Sequence, residues 1–248
     1  MTMKSFLTLS ICLTALCHCT LTQAALTIVP ILGGGPLPLV NYVNFDDIAL
    51  GSNIGATTFN TAASASAGFV TVNSTTNAQV VTGPLAGQYA EPWVTLATQG
   101  VPFAHTQAAD GDDESQYITS GSTGSTAGAE AELVFGTLQS YFGILWGSVD
   151  DYNTLTFYNG LVSVGTIVGT QVDAVATGDQ GVLGTFYVNI DSSLPFDRVV
   201  ATSTAFAFEF DDVAYGENRI IPEATTIVVW SALSLIGVMA YRRRSRLG

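Results

Sequence analysis

The sequence predicts an all-β protein: an antiparallel β-sandwich of jelly-roll type, preceded by a signal peptide and followed by one transmembrane helix. Three observations predict it. Thr, Val, Ala, Gly and aromatic residues dominate the middle of the chain, and apolar side chains recur there with period two rather than 3.6. Turn residues separate these segments at short intervals, the spacing of a sandwich. Each terminus carries an apolar run whose flanking residues mark a targeting or membrane segment. The chain divides accordingly into residues 1–24, 25–221 and 222–248.

Lys4 supplies a positive start, residues 6–19 an apolar stretch, and Thr22-Gln23-Ala24 the small residues at −3 and −1 of a cleavage site. This reads as a secretory signal peptide cut after Ala24. An N-terminal anchor is the weaker alternative, because the stretch is short and ends in small residues. Cys12, Cys17 and Cys19 all lie in this leader, none behind a lipobox, so the mature chain carries no thiol and no disulfide. A body of this length buries a core without such staples.

Residues 25–40, with Gly33-Gly34-Gly35-Pro36 and Pro38, read as a flexible lead-in. Candidate strands follow at 69–73, 79–82, 93–97, 116–119, 132–138, 142–146, 154–158, 161–168, 186–190, 198–202 and 205–211. In the last of these Phe206, Phe208 and Phe210 share one face, so Ala207, Glu209 and Asp211 are expected on the wet one. Residues 142–158 read as a hairpin with 147–153 as its loop, where Asp150, Asp151 and Asn153 bond their own backbone. Residues 61–67, 110–114 and 121–128 read as surface loops. A barrel or solenoid is the runner-up, but no fixed internal period is present.

Charge and residue types narrow the chemistry. The body holds 19 acids against two bases, Arg198 and Arg219, which excludes nucleic-acid binding and disfavours anionic lipid. One histidine, His105, remains after the leader, without a nucleophile elbow anywhere; a triad and a zinc site are both disfavoured. Asp150-Asp151 and the Glu130, Glu132 pair are the carboxylates a glycosidase would need, yet no clustered acidic strand accompanies them. Calcium, which takes six to eight oxygens, is the one candidate ion. Asp110, Asp112, Asp113 and Glu114 form the densest oxygen group. Asp46, Asp47, Asp211 and Asp212 form a second if the first and last strands are neighbours. Ordinary acidic turns explain either group as well. Tyr152, Tyr158, Trp93 and Tyr187 are aromatics that could face a glycan from outward positions.

The tail is the most specific segment. Pro222-Glu223-Ala224 opens it, residues 224–241 carry no charge, and Arg242, Arg243, Arg244 and Arg246 follow. Eighteen helical residues span roughly 27 Å, near the hydrocarbon thickness of a bilayer. The arginines form a cytoplasmic stop, so everything before them faces outward. A plain tail anchor remains an alternative reading.

This order of parts resembles the PEP-CTERM sorting signal, with Ala224 where the usual third position is proline. The resemblance implies recognition by exosortase, a membrane protease-transpeptidase of bacteria that make extracellular polysaccharide. The body adds a second likeness. Trp146-Gly147-Ser148, Asp150 and Tyr152-Asn153-Thr154-Leu155 look like the central signature of the Npun-type exosortase-dependent surface proteins; Asn44-Phe45-Asp46-Asp47 and Phe208-Glu209-Phe210-Asp211-Asp212-Val213 fit their first and last strands. That resemblance implies a location rather than a chemistry.

The expectation is therefore a non-enzymatic surface or matrix protein associated with exopolysaccharide. Its processing partners are the Sec translocon, signal peptidase and exosortase, and the inner membrane holds the intermediate. No catalytic residue is assigned and no cofactor beyond calcium. A calcium-assisted carbohydrate-binding module is the alternative, and a glycoside-active sandwich enzyme the third reading.

Overall fold

Two segments in which β-branched and aromatic residues alternate over unusual lengths organise the fold. Ala129–Gly147 and Phe186–Ser203 form strands of 19 and 18 residues, against a usual length of about 5–6. The computed structural model describes residues 25–33, 35, 41–46, 48–52, 57–60, 69–74, 78–94, 111, 114–121 and 129–218. Among them the strands are β1 (Leu26–Leu32), β2 (Asn41–Val43), β3 (Gly51–Ser52), β4 (Thr57–Asn60), β5 (Phe69–Ser74), β6 (Ala78–Val81), β7 (Tyr117–Ser120), β8 (Ala129–Gly147), β9 (Asn153–Asn159), β10 (Val162–Val168), β11 (Phe186–Ser203) and β12 (Phe208–Gly216). One helical turn, α1 (Gly169–Val172), follows β10. All pairings between these strands are antiparallel, so the all-β, antiparallel class holds.

The two long strands pair with each other at both ends and change neighbours midway. Residues 186–191 of β11 lie against 146–141 of β8, with β1 on the outer side of β11 and β12 on the outer side of β8. Residues 198–203 lie against 134–129, now flanked by β9 and β5. The register breaks between Asp191 and Phe196, where Pro195 sits. A proline donates no ladder hydrogen bond and is found at such breaks or at sheet edges. The ladder thus runs β1-β11-β8-β12-β7-β6-β3 at one end and β4-β5-β8-β11-β9-β10 at the other.

Aromatic rings from the two ends meet. Phe135 and Phe157 belong to one end; Phe142 and Tyr215 to the other. Their centroids lie 6.3 Å apart for Phe135–Phe142, 5.6 Å for Phe142–Phe157 and 5.0 Å for Phe135–Tyr215. Phe196, beside the register break, contacts Phe157 at 5.1 Å. The edge-to-face pairs among them, which exclude the tilted Phe135–Tyr215 pair, add about 0.5–1.5 kcal/mol each beyond the area they bury. The same core takes in Leu155, Val188, Ile190 and Val199. At the surface, Arg198 bonds Glu132 at 2.9 Å and lies 4.1 Å over the Tyr158 ring.

Several expectations are corrected. Residues 26–32 are a strand, not a flexible lead-in. Leu26 and Ile28 pack on the core, and Pro30 is tolerated because β1 is an edge strand paired to β11 alone. The segment 142–158 is not a hairpin: β8 pairs with β11 and β12, β9 with β10 and β11, so residues 147–153 cross between ladders. Trp93 and Val94 lie outside any strand, and 95–97 fall outside the described residues. The expected strands 132–138 and 142–146 are one element, as are 186–190 and 198–202.

The leader 1–24, Asp47, His105, Asp110, Asp112, Asp113, Arg219, the segments 61–67 and 122–128, and the tail with Pro222, Glu223, Ala224, Arg242, Arg243, Arg244 and Arg246 lie outside the described residues. Among the described residues no helix is long and apolar enough to cross a membrane.

Candidate functional site

The crossover between β8 and β9 is built from Trp146-Gly147-Ser148-Val149-Asp150-Asp151-Tyr152-Asn153. Each end is tied down. Trp146 stacks on Phe208 with centroids 4.4 Å apart. The Asn153 amide donates to Ala207 O at 3.0 Å and its Oδ1 accepts from Ser203 Oγ at 2.9 Å. Tyr152 OH donates to Phe206 O. Between these anchors, Val149 N donates to Gly184 O at 2.9 Å and Asp151 N to Ala176 O at 3.1 Å. The segment 176–184 thereby becomes the second wall of the crossover. Ser148 sits at φ +35°, a left-handed backbone that costs a non-glycine residue about 1–2 kcal/mol.

Two glycines let the walls close. A Cβ at Gly169 would fall 1.9 Å from Asp150 O, and one at Gly178 2.6 Å from Asp150 Oδ1. Asp150 is 8 % exposed. Burial pushes its carboxyl above the ordinary range, a hydrogen bond with Tyr152 opposes this, and the neighbouring Asp151 charge adds to it. Burial likewise raises the Tyr152 phenol, helped by its bond with Asp150 and by the nearby acids.

Glu209 lies across from the crossover and corrects the expectation for its strand. Alternation places it on the wet face, yet it is 1 % exposed, and Asp211 and Asp212 are buried too. Residues 83–94 cover that face. Ala90 N donates to Glu209 Oε1 at 3.2 Å, Trp93 N donates to Thr185 Oγ1 at 2.9 Å, and Val94 packs with Tyr141, Leu145, Tyr187 and Ala214 in a second small core. Ser148 Oγ donates to Glu209 Oε2 at 2.5 Å. Burial raises the Glu209 pKa to about 7. Its bonds from Ser148 and Ala90 hold it down, and the Asp150 charge pushes it further up.

Together these groups frame a pocket of about 220 Å³. Ser148, Asp150, Ala207 and Glu209 form its buried floor; Gly87, Thr177 and Gln180 are exposed at its rim; Gln88, Tyr152 and Phe206 stand between. Chemically, the pocket offers hydroxyls, two carboxamides and two carboxyls whose protons are held more tightly than usual, so it can donate and accept hydrogen bonds.

The other candidates fare differently. β2 and β12 are neighbours, with Val43 opposite Val213, which meets the condition set for the second acidic group. There Asp46 accepts from Gln116 N at 3.1 Å and from the Asn44 amide at 2.7 Å. Asp211 accepts from Ser115 Oγ at 3.2 Å and from Asp212 N at 2.8 Å. Glu114 is exposed, and its partners in the first group lie outside the described residues. Among the described residues no three Asp, Glu, His or Cys side chains are grouped to hold a metal ion. Tyr187 is buried and donates to Asp212 O at 2.9 Å, so it faces no glycan. Tyr158 is engaged by Arg198. Tyr152 does reach a pocket. Glu132 and Asp151 do not join Asp150: Glu132 is bound by Arg198 and Asn73.

Sequence reasoning missed Glu209 and Ser148. The available signal was Glu209-Phe210-Asp211-Asp212. Two adjacent acids in a strand break the period of two, and a bulge sits there, with Asp212 at φ +52° and a register shift against β8. No family model matches the chain, and no curated protein matches it.

Proposed function

We propose that this chain is an exported cell-surface or extracellular-matrix protein, released from a C-terminal sorting tail by exosortase, with a structural or interaction role beside exopolysaccharide. The observation that carries the reading is the order of parts at the end: Pro222-Glu223-Ala224, the uncharged stretch to Tyr241, then Arg242, Arg243, Arg244 and Arg246. Four arginines hold the stop in the cytoplasm, and the acidic body stays outside. Export through the Sec translocon and trimming by signal peptidase precede this step, with the inner membrane holding the intermediate.

The hydrogen bonds of Ala25 and the end of β12 support the same division. Ala25, the first residue after the proposed cut, exchanges hydrogen bonds with Ser193: Ala25 N to Ser193 Oγ at 2.8 Å and Ser193 N to Ala25 O at 3.1 Å. β1 begins at the next residue, and β12 ends at Gly216, shortly before Pro222. We read the body as a β-sandwich whose two layers are the ends of the continuous sheet, folded over at the register breaks of β8 and β11. The ring contacts from Phe135 and Phe157 to Phe142 support this reading. Calcium at Asp110, Asp112, Asp113 and Glu114 is part of the proposal on the density of carboxyls in that segment alone.

The test is made in the producing bacterium. With Pro222 and Glu223 both replaced by alanine, or with the exosortase deleted, the protein should keep its tail and stay in the membrane fraction. Tail removal that proceeds unchanged in both strains would defeat the sorting reading. Retention of the tail in the unaltered strain as well would leave a plain anchor.

A further inference from the structure

We propose that the pocket between the 147–153 crossover, residues 176–180 and β12 binds one neutral sugar residue, the end or a side branch of a polysaccharide. Four separate stretches of chain contribute to it, and its floor and rim are polar throughout apart from Ala207, Phe206 and glycine backbone. Size comes first. At about 220 Å³ the space falls below the roughly 300–1,000 Å³ of sites for drug-sized ligands. It takes a single ring and excludes an oligomer laid lengthwise.

Charge decides next. Neither Lys nor Arg lines the pocket among the described residues; Arg198 is held elsewhere by Glu132 and Tyr158. No cation offsets the pocket's carboxyls, which in their ionised form repel phosphate, sulfate and uronate groups. A purely apolar ligand would leave Ser148, Asp150, Gln88 and Gln180 without exchange for the water they lose. A ligand bearing several hydroxyls satisfies both kinds of group, because each hydroxyl donates once and accepts twice. The side-chain amides of Gln88 and Gln180 supply donors and acceptors near the rim, and the acids accept at the floor. An ammonium ligand would call for acceptors alone, which this mixed lining does not present.

The floor is fixed before any ligand arrives. Ser148 is locked by its bond to Glu209, Tyr152 by Phe206 O, and Asp150 by the two glycines that close around it. Binding therefore orders little beyond the rim side chains, which suits a weak, reversible contact. The site stands on this geometry alone and is independent of how the chain is exported.

The experiment is titration calorimetry on the full chain, held in a detergent without a sugar headgroup. The probes are the methyl glycosides of glucose, galactose, mannose and N-acetylglucosamine, with glucuronate and methylammonium as controls. At least one glycoside should bind saturably in the millimolar range. Gln180→Ala and Gln88→Ala sit at the rim and leave the fold intact, as a circular dichroism spectrum would verify. Each removes one or two hydrogen bonds and should weaken binding roughly threefold to tenfold. Failure of every glycoside to bind up to about 10 mM overturns the proposal. So does binding that both variants leave unchanged, or binding of methylammonium or glucuronate in preference to the glycosides. None of these outcomes touches the sorting test, which reads tail removal in cells.

Discussion

Replacing Glu209 by glutamine should abolish most of a pH-dependent loss of stability that this one carboxyl imposes. In the folded chain its pKa is raised to about 7 from an ordinary 4.5, chiefly by burial. The folded state therefore holds a proton that the unfolded state has already released between these two values. Stability from this group is fully present below pH 4.5, falls as pH rises, and is lost through pH 7. At about 1.4 kcal/mol per pH unit the interval corresponds to about 3 kcal/mol. Glutamine is neutral throughout and can still accept from Ala90 N and bond Ser148 Oγ. At pH 4 the two proteins should agree to within about 1 kcal/mol, one hydrogen bond's worth. At pH 8.5 Glu209→Gln should be the more stable by about 3 kcal/mol, a rise in Tm of about 6–12 °C for a body of this size. Thermal melts of the full chain from pH 4 to 8.5 measure it. The many other acids also shift the curve of each protein, but they are shared, so the difference between variants reports Glu209 together with its coupling to Asp150. A difference that stays constant across the range would refute the assignment of a buried, proton-holding carboxyl.

Two further predictions test the surroundings of this group. Asp150→Asn removes a charge that raises Glu209, so the Glu209 midpoint should move down, as read by carboxyl carbon chemical shifts over a pH series. Gly178→Ala places a Cβ 2.6 Å from Asp150 Oδ1 at φ +67°, whereas Gly160→Ala at φ +57° meets nothing within 4 Å. Denaturant unfolding should show about 1–2 kcal/mol lost for Gly160→Ala from backbone strain alone, and a larger loss for Gly178→Ala. Equal losses would mean that Asp150 is not clamped by the crossover walls.

How much of this was legible in the sequence differs from element to element. The strands at 69–74, 153–159 and 162–168 follow from local alternation and the turn residues beside them; those at 78–81 and 117–120 follow from short β-prone runs between turn residues. β1 was not legible. Its glycine-rich surroundings and Pro30 argue against a strand, and only the unpaired edge of β11, a partner some 160 residues away in the chain, supplies the ladder. The hairpin expected at 142–158 failed for a similar reason. Two adjacent strands with a seven-residue connection look like partners, but β8 and β9 each find other neighbours in β11.

Glu209 shows the limit most plainly. A glutamate between two phenylalanines in an alternating strand belongs in water by every local rule. It is buried because residues 83–94, more than a hundred positions earlier, lie across that face and aim Ala90 N at its carboxyl. Residue types and their period determined the all-β antiparallel class and the acidic character of residues 25–221, since these depend on neighbours in sequence. Strand partners, the crossover, the pocket and the raised Glu209 pKa were decided by tertiary structure alone. Each depends on which distant backbone excludes water from a given face, and burial of that kind leaves no mark on the local pattern.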